Sequence, residues 1–197
     1  MSLIYNYIFG KKEEPIFDKS DVTVSVAESI TAGTLSNTLC SEPGASKFFK
    51  GGVIAYSINS KKEILGIDID YAEKNNFANP ITTSDMARSV ALMFKSRFGI
   101  STTGYSLPTY REENKELGLC KLDIKQPYAY ICLYDRLLDV EIMVKEEYHY
   151  DEDHDQKMQR AYVQVKVALK AQKIYEDYIK NLSNERENPF KPHQINE

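Results

Sequence analysis

Residues 26–67 read VAESITAGTLSNTLCSEPGASKFFKGGVIAYSINSKKEILGI. The run that leads into them, Val22-Thr-Val-Ser-Val26, alternates β-branched residues with others and has the pattern of a strand. Glu28-Ser29 follows, and then a helix-like run from about Ile30 to Cys40. Pro43-Gly44 marks a turn. Gly52-Val-Ile-Ala-Tyr56 reads as a second strand, and Asn59 to Leu65 as a short helix that ends at Gly66, a residue suited to the position just past a helix end. Two strands and two helices thus alternate within one stretch.

The same alternation continues downstream. Thr82 with Asp85 approximates a capping box, and Met86, Val90, Phe94 and Phe98 recur every fourth residue, so a helix is expected from Thr82 or Thr83 to Gly99. Ile100 to Gly104 is a candidate strand. Tyr128–Tyr134 and Val140–Val144 are β-rich runs joined by Asp135-Arg-Leu-Leu-Asp139, a hairpin pattern. A long helix is expected from about Asp153 to Leu182, with Met158, Ala161, Val165, Ala168, Ile174 or Tyr175, Tyr178 and Leu182 on one side. That spacing fits a helix packed on a sheet as well as a coiled coil. Interleaved strands and helices predict an α/β fold. Residues 1–20 read as a polar lead-in, 21–182 as a single domain, and 183–197 as a mobile C-terminal tail.

The chemistry concentrates where the first strand gives way to the first helix. A helix start offers unpaired N–H groups and the positive end of the helix dipole, which stabilise phosphate or a developing oxyanion. Ser29 stands there, and the small residues Thr31, Ala32 and Gly33 leave room for a ligand. A serine at such a point can act as a nucleophile if a base is near, and a buried lysine with a lowered pKa can be that base. Lys61 follows Tyr56-Ser57 by one helical turn. Each residue also has a structural reading: Ser29 as a helix cap, Lys61 as an exposed lysine, Tyr56 as a core tyrosine.

The order Ala27-Glu28-Ser29, Thr31, Gly33, Pro43-Gly44-Ala45-Ser46, Gly51-Gly52-Val53, Ala55-Tyr56-Ser57, Lys61 and Leu65-Gly66-Ile67 resembles the signature of the CinA C-terminal domain family. The resemblance implies a three-layer α/β/α domain with a mixed central sheet. It also implies amidohydrolase activity: several members deamidate nicotinamide mononucleotide to nicotinic acid mononucleotide and ammonia. On that basis Ser29 is the candidate nucleophile and Lys61 the candidate base. Tyr56 is expected to orient the lysine or relay a proton. Ile30, Thr31, Gly33, Thr103, Gly104 and Arg160 are the expected substrate-binding residues. The implied partner is a small-molecule nucleotide, and no cofactor or metal is implied. The family usually carries this domain behind one that hydrolyses pyrophosphate bonds; 197 residues leave no room for it, so that joint activity is not expected.

Two departures from the family pattern bear on the pocket, and the altered loop among them, with the acidic run Asp151-Glu-Asp-His-Asp155 ahead of the last helix, keeps a second function open, that of a catalytically silent CinA-like binding or assembly module. The family's Cys-Thr-Gly-Gly is here Ile30-Thr31-Ala32-Gly33, which puts a Cβ where backbone is expected to adopt positive φ or approach the ligand. The family's glycine-rich loop, T-G-I-A-G-P-x-G-G, is here Thr103-Gly-Tyr-Ser-Leu-Pro-Thr-Tyr-Arg111, which keeps Thr103-Gly104 and Pro108 and loses the other glycines. Tyr105, Tyr110 and Arg111 either restore binding by other means or close the pocket.

Composition excludes other classes. A net charge of -4 argues against a nucleic-acid binder, which usually shows a basic face. No segment is apolar for long enough to span a bilayer, and the start, MSLIYNYIFGKKEEP, lacks the basic region and cleavage site of a signal peptide. Cys40, Cys120 and Cys132 have no metal-ligand spacing and read as reduced thiols of a cytoplasmic protein. His149 and His154, set among acidic residues, read as part of a solvated loop rather than a metal site. A homo-oligomer is left open.

Overall fold

The computed structural model describes residues 21–74, 76–113, 120–153 and 155–187. A five-stranded sheet forms its centre. Strand β1 (Val24–Glu28) is followed by helix α1 (Thr34–Cys40), a 3₁₀ turn (Ala45–Lys47) and β2 (Phe49–Ile54). Helices α2 (Ile58–Leu65), α3 (Ile69–Lys74) and α4 (Pro80–Phe94) lead to β3 (Phe98–Tyr105). Two short strands, β4 (Thr109–Arg111) and β5 (Leu122–Ile124), form a separate ribbon. Strands β6 (Tyr128–Asp135) and β7 (Val140–Glu147) and the long helix α5 (Gln156–Glu187) complete the fold.

The strand order is β2-β1-β3-β6-β7. β1 pairs in parallel with β2 and β3, while the β3–β6 and β6–β7 pairs are antiparallel, so the sheet is mixed. β1 is buried along its whole length because it has a strand on each side and helices on both faces. Its side chains alternate between two cores. Val24 and Val26 join Leu35, Leu39, Ile100, Ile131, Val163 and Val167 under α1 and α5. Ala27 faces Leu65, Met86 and Val90 of α2 and α4. The result is the three-layer α/β/α arrangement that the resemblance implies.

Several local expectations are corrected. α1 begins at Thr34 rather than Ile30, because Ala32 (φ 50°) and Gly33 (φ 100°) are left-handed and form a turn. α4 begins at Pro80: the Asn79 side chain accepts the Thr82 amide hydrogen at 2.9 Å, and proline suits the first helical turn. Lys95, in the left-handed region, ends α4, and Phe98 opens β3 instead of extending the helix. α5 starts at Gln156, where the Asp155 carboxylate accepts the Met158 amide hydrogen at 2.8 Å, so the acidic run supplies a cap. Its core face is Val163, Val167, Ala168, Ala171 and Tyr175, while Met158 and Val165 point outward. The helix runs to Glu187, so the boundary expected at residue 182 falls inside it. The lead-in and the last ten residues of the tail lie outside the described residues, as does His154.

Candidate active site

The topology puts a crevice where the chemistry is expected. From β1 the chain crosses to β2 on one side of it and later returns to β3 on the other, with α1 on one face of the sheet and α2 to α4 on the other. In open α/β sheets ligands bind beyond the carboxyl ends of the strands where the strand order reverses. Ser29 follows the last residue of β1, Tyr56 lies just past β2, and Thr103 and Gly104 are near the end of β3. A cleft of about 260 Å³ opens there, lined by Ser29, Ile30, Tyr56, Lys61, Thr103, Gly104 and Arg160 among others.

Lys61 sits in α2, which Ser57 starts with a reciprocal capping box to Ser60. One turn in, its side chain reverses toward the sheet and is only 4% exposed. Nζ donates to Ser29 Oγ at 2.9 Å, to Ala55 O at 2.7 Å and to Tyr56 O at 3.4 Å. These partners are neutral oxygens, and burial lowers the pKa from 10.5 to about 8. Ser29, itself 8% exposed, is held by its amide, which donates to Thr102 O at 2.9 Å.

Three sequence expectations are corrected here. The Tyr56 hydroxyl does not reach Lys61; the ring is exposed, and Arg160 donates to its oxygen across the mouth of the cleft. It is the Tyr56 carbonyl that approaches the lysine. Thr31 is fully buried away from the cleft, its hydroxyl 2.7 Å from that of Thr102, where it ties the turn to β3. Gly33 also lies outside the cleft lining, because its amide donates to Glu28 Oε2 at 2.9 Å.

Glu28 is the residue that the sequence reading passed over. Its carboxylate, fully buried, accepts from the amides of Gly33, Leu35 and Ser36 and from the Ser36 hydroxyl. The positive end of α1 is therefore closed by a carboxylate of the chain itself. Of the N–H groups expected to meet the ligand, those of Ile30 to Ala32 are outside this arrangement. No spacing rule finds such a cap, since it comes from the preceding strand rather than from the helix's own first turn.

The altered loop does not fill the cleft. Tyr105 lines one wall, its hydroxyl donating to Asn76 Oδ1 at 2.6 Å, and Asn76 Nδ2 donates on to the Tyr128 hydroxyl at 3.0 Å. Tyr110 is exposed outside it. Arg111 lines the cleft, with Nε and Nη2 both donating to Cys120 O. Gly104 is fixed by close packing: a Cβ there would stand 2.1 Å from Tyr128 O, across the β3–β6 ladder. Cys132 is buried in the sheet, its thiol pushed up to about 12 by desolvation, and takes no part. Among the described residues no group of three His, Cys, Asp or Glu side chains comes together, and no helix is long and apolar enough to cross a membrane.

Fold and cleft together define an α/β/α domain with a buried serine–lysine pair at the reversal point of its sheet. The family model of the CinA C-terminal domain matches residues 12–139, and the chain belongs to that family. A CinA-like protein of Prochlorococcus marinus is 36% identical over 122 residues, 60% of this chain and 28% of that protein. A CinA-like protein of Flavobacterium psychrophilum is 27% identical over 168 residues, 85% of this chain and 36% of that protein. The chain thus spans about a third of the length of these relatives. Among solved structures, the competence damage-inducible protein A of Klebsiella pneumoniae superposes with a TM-score of 0.58 at 18% identity, over 79% of this chain and 86% of that one. A CinA superfamily protein of Escherichia coli gives 0.57 at 19% identity, over 77% and 78%. These two share the fold.

Proposed function

We propose that this domain is an amidohydrolase of the serine–lysine type, acting on the carboxamide of nicotinamide mononucleotide. The observation that carries the proposal is the buried Lys61 Nζ at 2.9 Å from Ser29 Oγ. In its neutral form Lys61 takes the Oγ proton as Oγ bonds to the carboxamide carbon. The carbonyl oxygen becomes an oxyanion, for which the amide of Ile30, the cleft residue next to Ser29, is the backbone donor at hand. Collapse breaks the C–N bond, and the proton on Lys61 passes to the departing nitrogen, releasing ammonia. Lys61 then takes a proton from water as it attacks the ester on Ser29, and returns it to Oγ as the acyl–oxygen bond breaks, freeing the carboxylic acid and restoring the serine. Thr103 and Gly104 form the floor of the cleft, and Arg160 with Tyr56 its mouth.

A second reading, a silent binding module, draws on the segment after Gly104, where Tyr105, Leu107, Thr109 and Arg111 line the cleft in place of glycines. Ammonia release from nicotinamide mononucleotide by the wild type, Ser29→Ala and Lys61→Ala separates the two. The amidohydrolase reading expects activity in the wild type and a loss of at least about a thousandfold in each variant. A folded wild type that releases no ammonia leaves the binding module.

A further inference from the structure

The described residues that line the cleft include three cations, Lys61, Arg111 and Arg160, and no carboxylate. The whole chain is acidic, with a net charge of -4, so this is a local reversal. Lys61 is buried and directed at Ser29. The two arginines remain, and they come from separate elements, Arg160 from α5 and Arg111 from the β4–β5 ribbon. The usual place for an anion in such folds, the start of the helix after β1, is closed by Glu28. An anionic ligand is repelled there and drawn toward the arginines.

We infer that Arg111 is a substrate-binding residue, which with Arg160 holds an anionic group of the ligand, a phosphomonoester, at the mouth of the cleft. The assignment rests on the reading of the cleft as a carboxamide-hydrolysing site and adds the second point of attachment. Arg111 is oriented for this. Its Nε and Nη2 are anchored on Cys120 O at 3.3 and 3.1 Å, while Nη1 has no partner among the described residues. The guanidinium is thereby held in one orientation before a ligand arrives, which lowers the ordering cost of binding. Tyr105, which its bond to Asn76 fixes, lines the same cleft. A guanidinium on the ribbon thus supplies fixed N–H donors in the region where backbone amides of a glycine-rich loop would otherwise stand.

The test measures binding and turnover separately. Calorimetric titration of the intact protein with ribose 5-phosphate, and with ribose as control, is compared for wild type, Arg111→Gln and Arg111→Lys. The expected result is binding of ribose 5-phosphate that weakens with salt, a roughly ten- to hundredfold weaker Kd in Arg111→Gln, and partial recovery in Arg111→Lys. For turnover, Arg111→Gln is expected to raise KM for nicotinamide mononucleotide with kcat changed far less, and to impair hydrolysis of the unphosphorylated riboside by a much smaller factor. An unchanged Kd for ribose 5-phosphate in Arg111→Gln overturns the inference, as does an equal loss on nucleotide and riboside. If ribose 5-phosphate binds through Arg111 but no ammonia is released from the nucleotide, the anion site stands and the amidohydrolase reading falls.

Discussion

Lys61 is a base only when neutral, and burial places its pKa at about 8. On the amidohydrolase reading, kcat/KM therefore rises about tenfold per pH unit below 8 and levels off above it. A profile flat from pH 6 to 9 counts against Lys61 as the base. The same shift has a consequence for stability. The folded pKa lies below the unfolded value of 10.5, so between about 8 and 10.5 the unfolded chain binds the extra proton, and stability rises with pH across that window. Below 8 the cost of burying the ammonium is present in full. Ala32 carries a different cost. At φ 50° its Cβ is strained, by about 1 kcal/mol. Ala32→Gly is expected to stabilise the fold by up to about 0.5 kcal/mol, on the order of 1–2 °C in Tm, after allowing for the extra freedom of glycine when unfolded. A lower Tm in thermal unfolding would show that the turn is not strained. Ser29 and Lys61 were legible because they belong to a spaced signature. The role of Glu28, which stands in the same signature, was not, nor was that of Asn76, since their partners depend on which strand ends and loops meet in space.

Strands and helices were read with uneven success for a physical reason. Period and end signals mark elements that stand on their own sequence: α2, expected from Asn59 and ended by Gly66, and the β6–β7 hairpin, whose turn includes Asp139 in the left-handed region. The start of α4 was misplaced although Asn79-Pro80 carries a start signal of its own, because Thr82 and Asp85 offered a competing box. β4 and β5 went unread because three residues cannot show a period. The join between β3, β6 and α5 is held by a feature with no local signal at all. Arg97 and Asp135, 2% and 1% exposed, pair at 2.7 Å, and the Asp135 carboxylate also accepts from the Leu137 amide and the Tyr178 hydroxyl. Asp135→Ala removes this carboxylate from beside a buried guanidinium and is expected to cost roughly 3–5 kcal/mol in chemical denaturation. Replacing both partners together, as Arg97→Met with Asp135→Leu, is expected to cost less than the single change. A single variant within 1 kcal/mol of wild type, on the order of a surface pair, would sink this account.

The layered α/β/α plan followed from alternating elements and from the family signature, but the strand order did not. A period of two says which face a side chain takes and nothing about which strand lies beside it. The order β2-β1-β3-β6-β7 had to come from the fold, and with it the placing of the cleft. β3 occupies the middle of that order. It pairs with β1 from Phe98 to Thr102 and with β6 from Phe98 to Tyr105, and Gly99 lets α4 approach so closely that a Cβ would stand 2.0 Å from Ala87 O. The backbone amides of such a strand exchange with deuterated solvent only when most of the domain opens, whereas those of the β4–β5 ribbon exchange by local fraying. The floor of the cleft at Thr103 and Gly104 thus outlasts its rim: a chain that has lost its ribbon for a moment still holds the serine beside the same strand, ready to be roofed again when the ribbon returns.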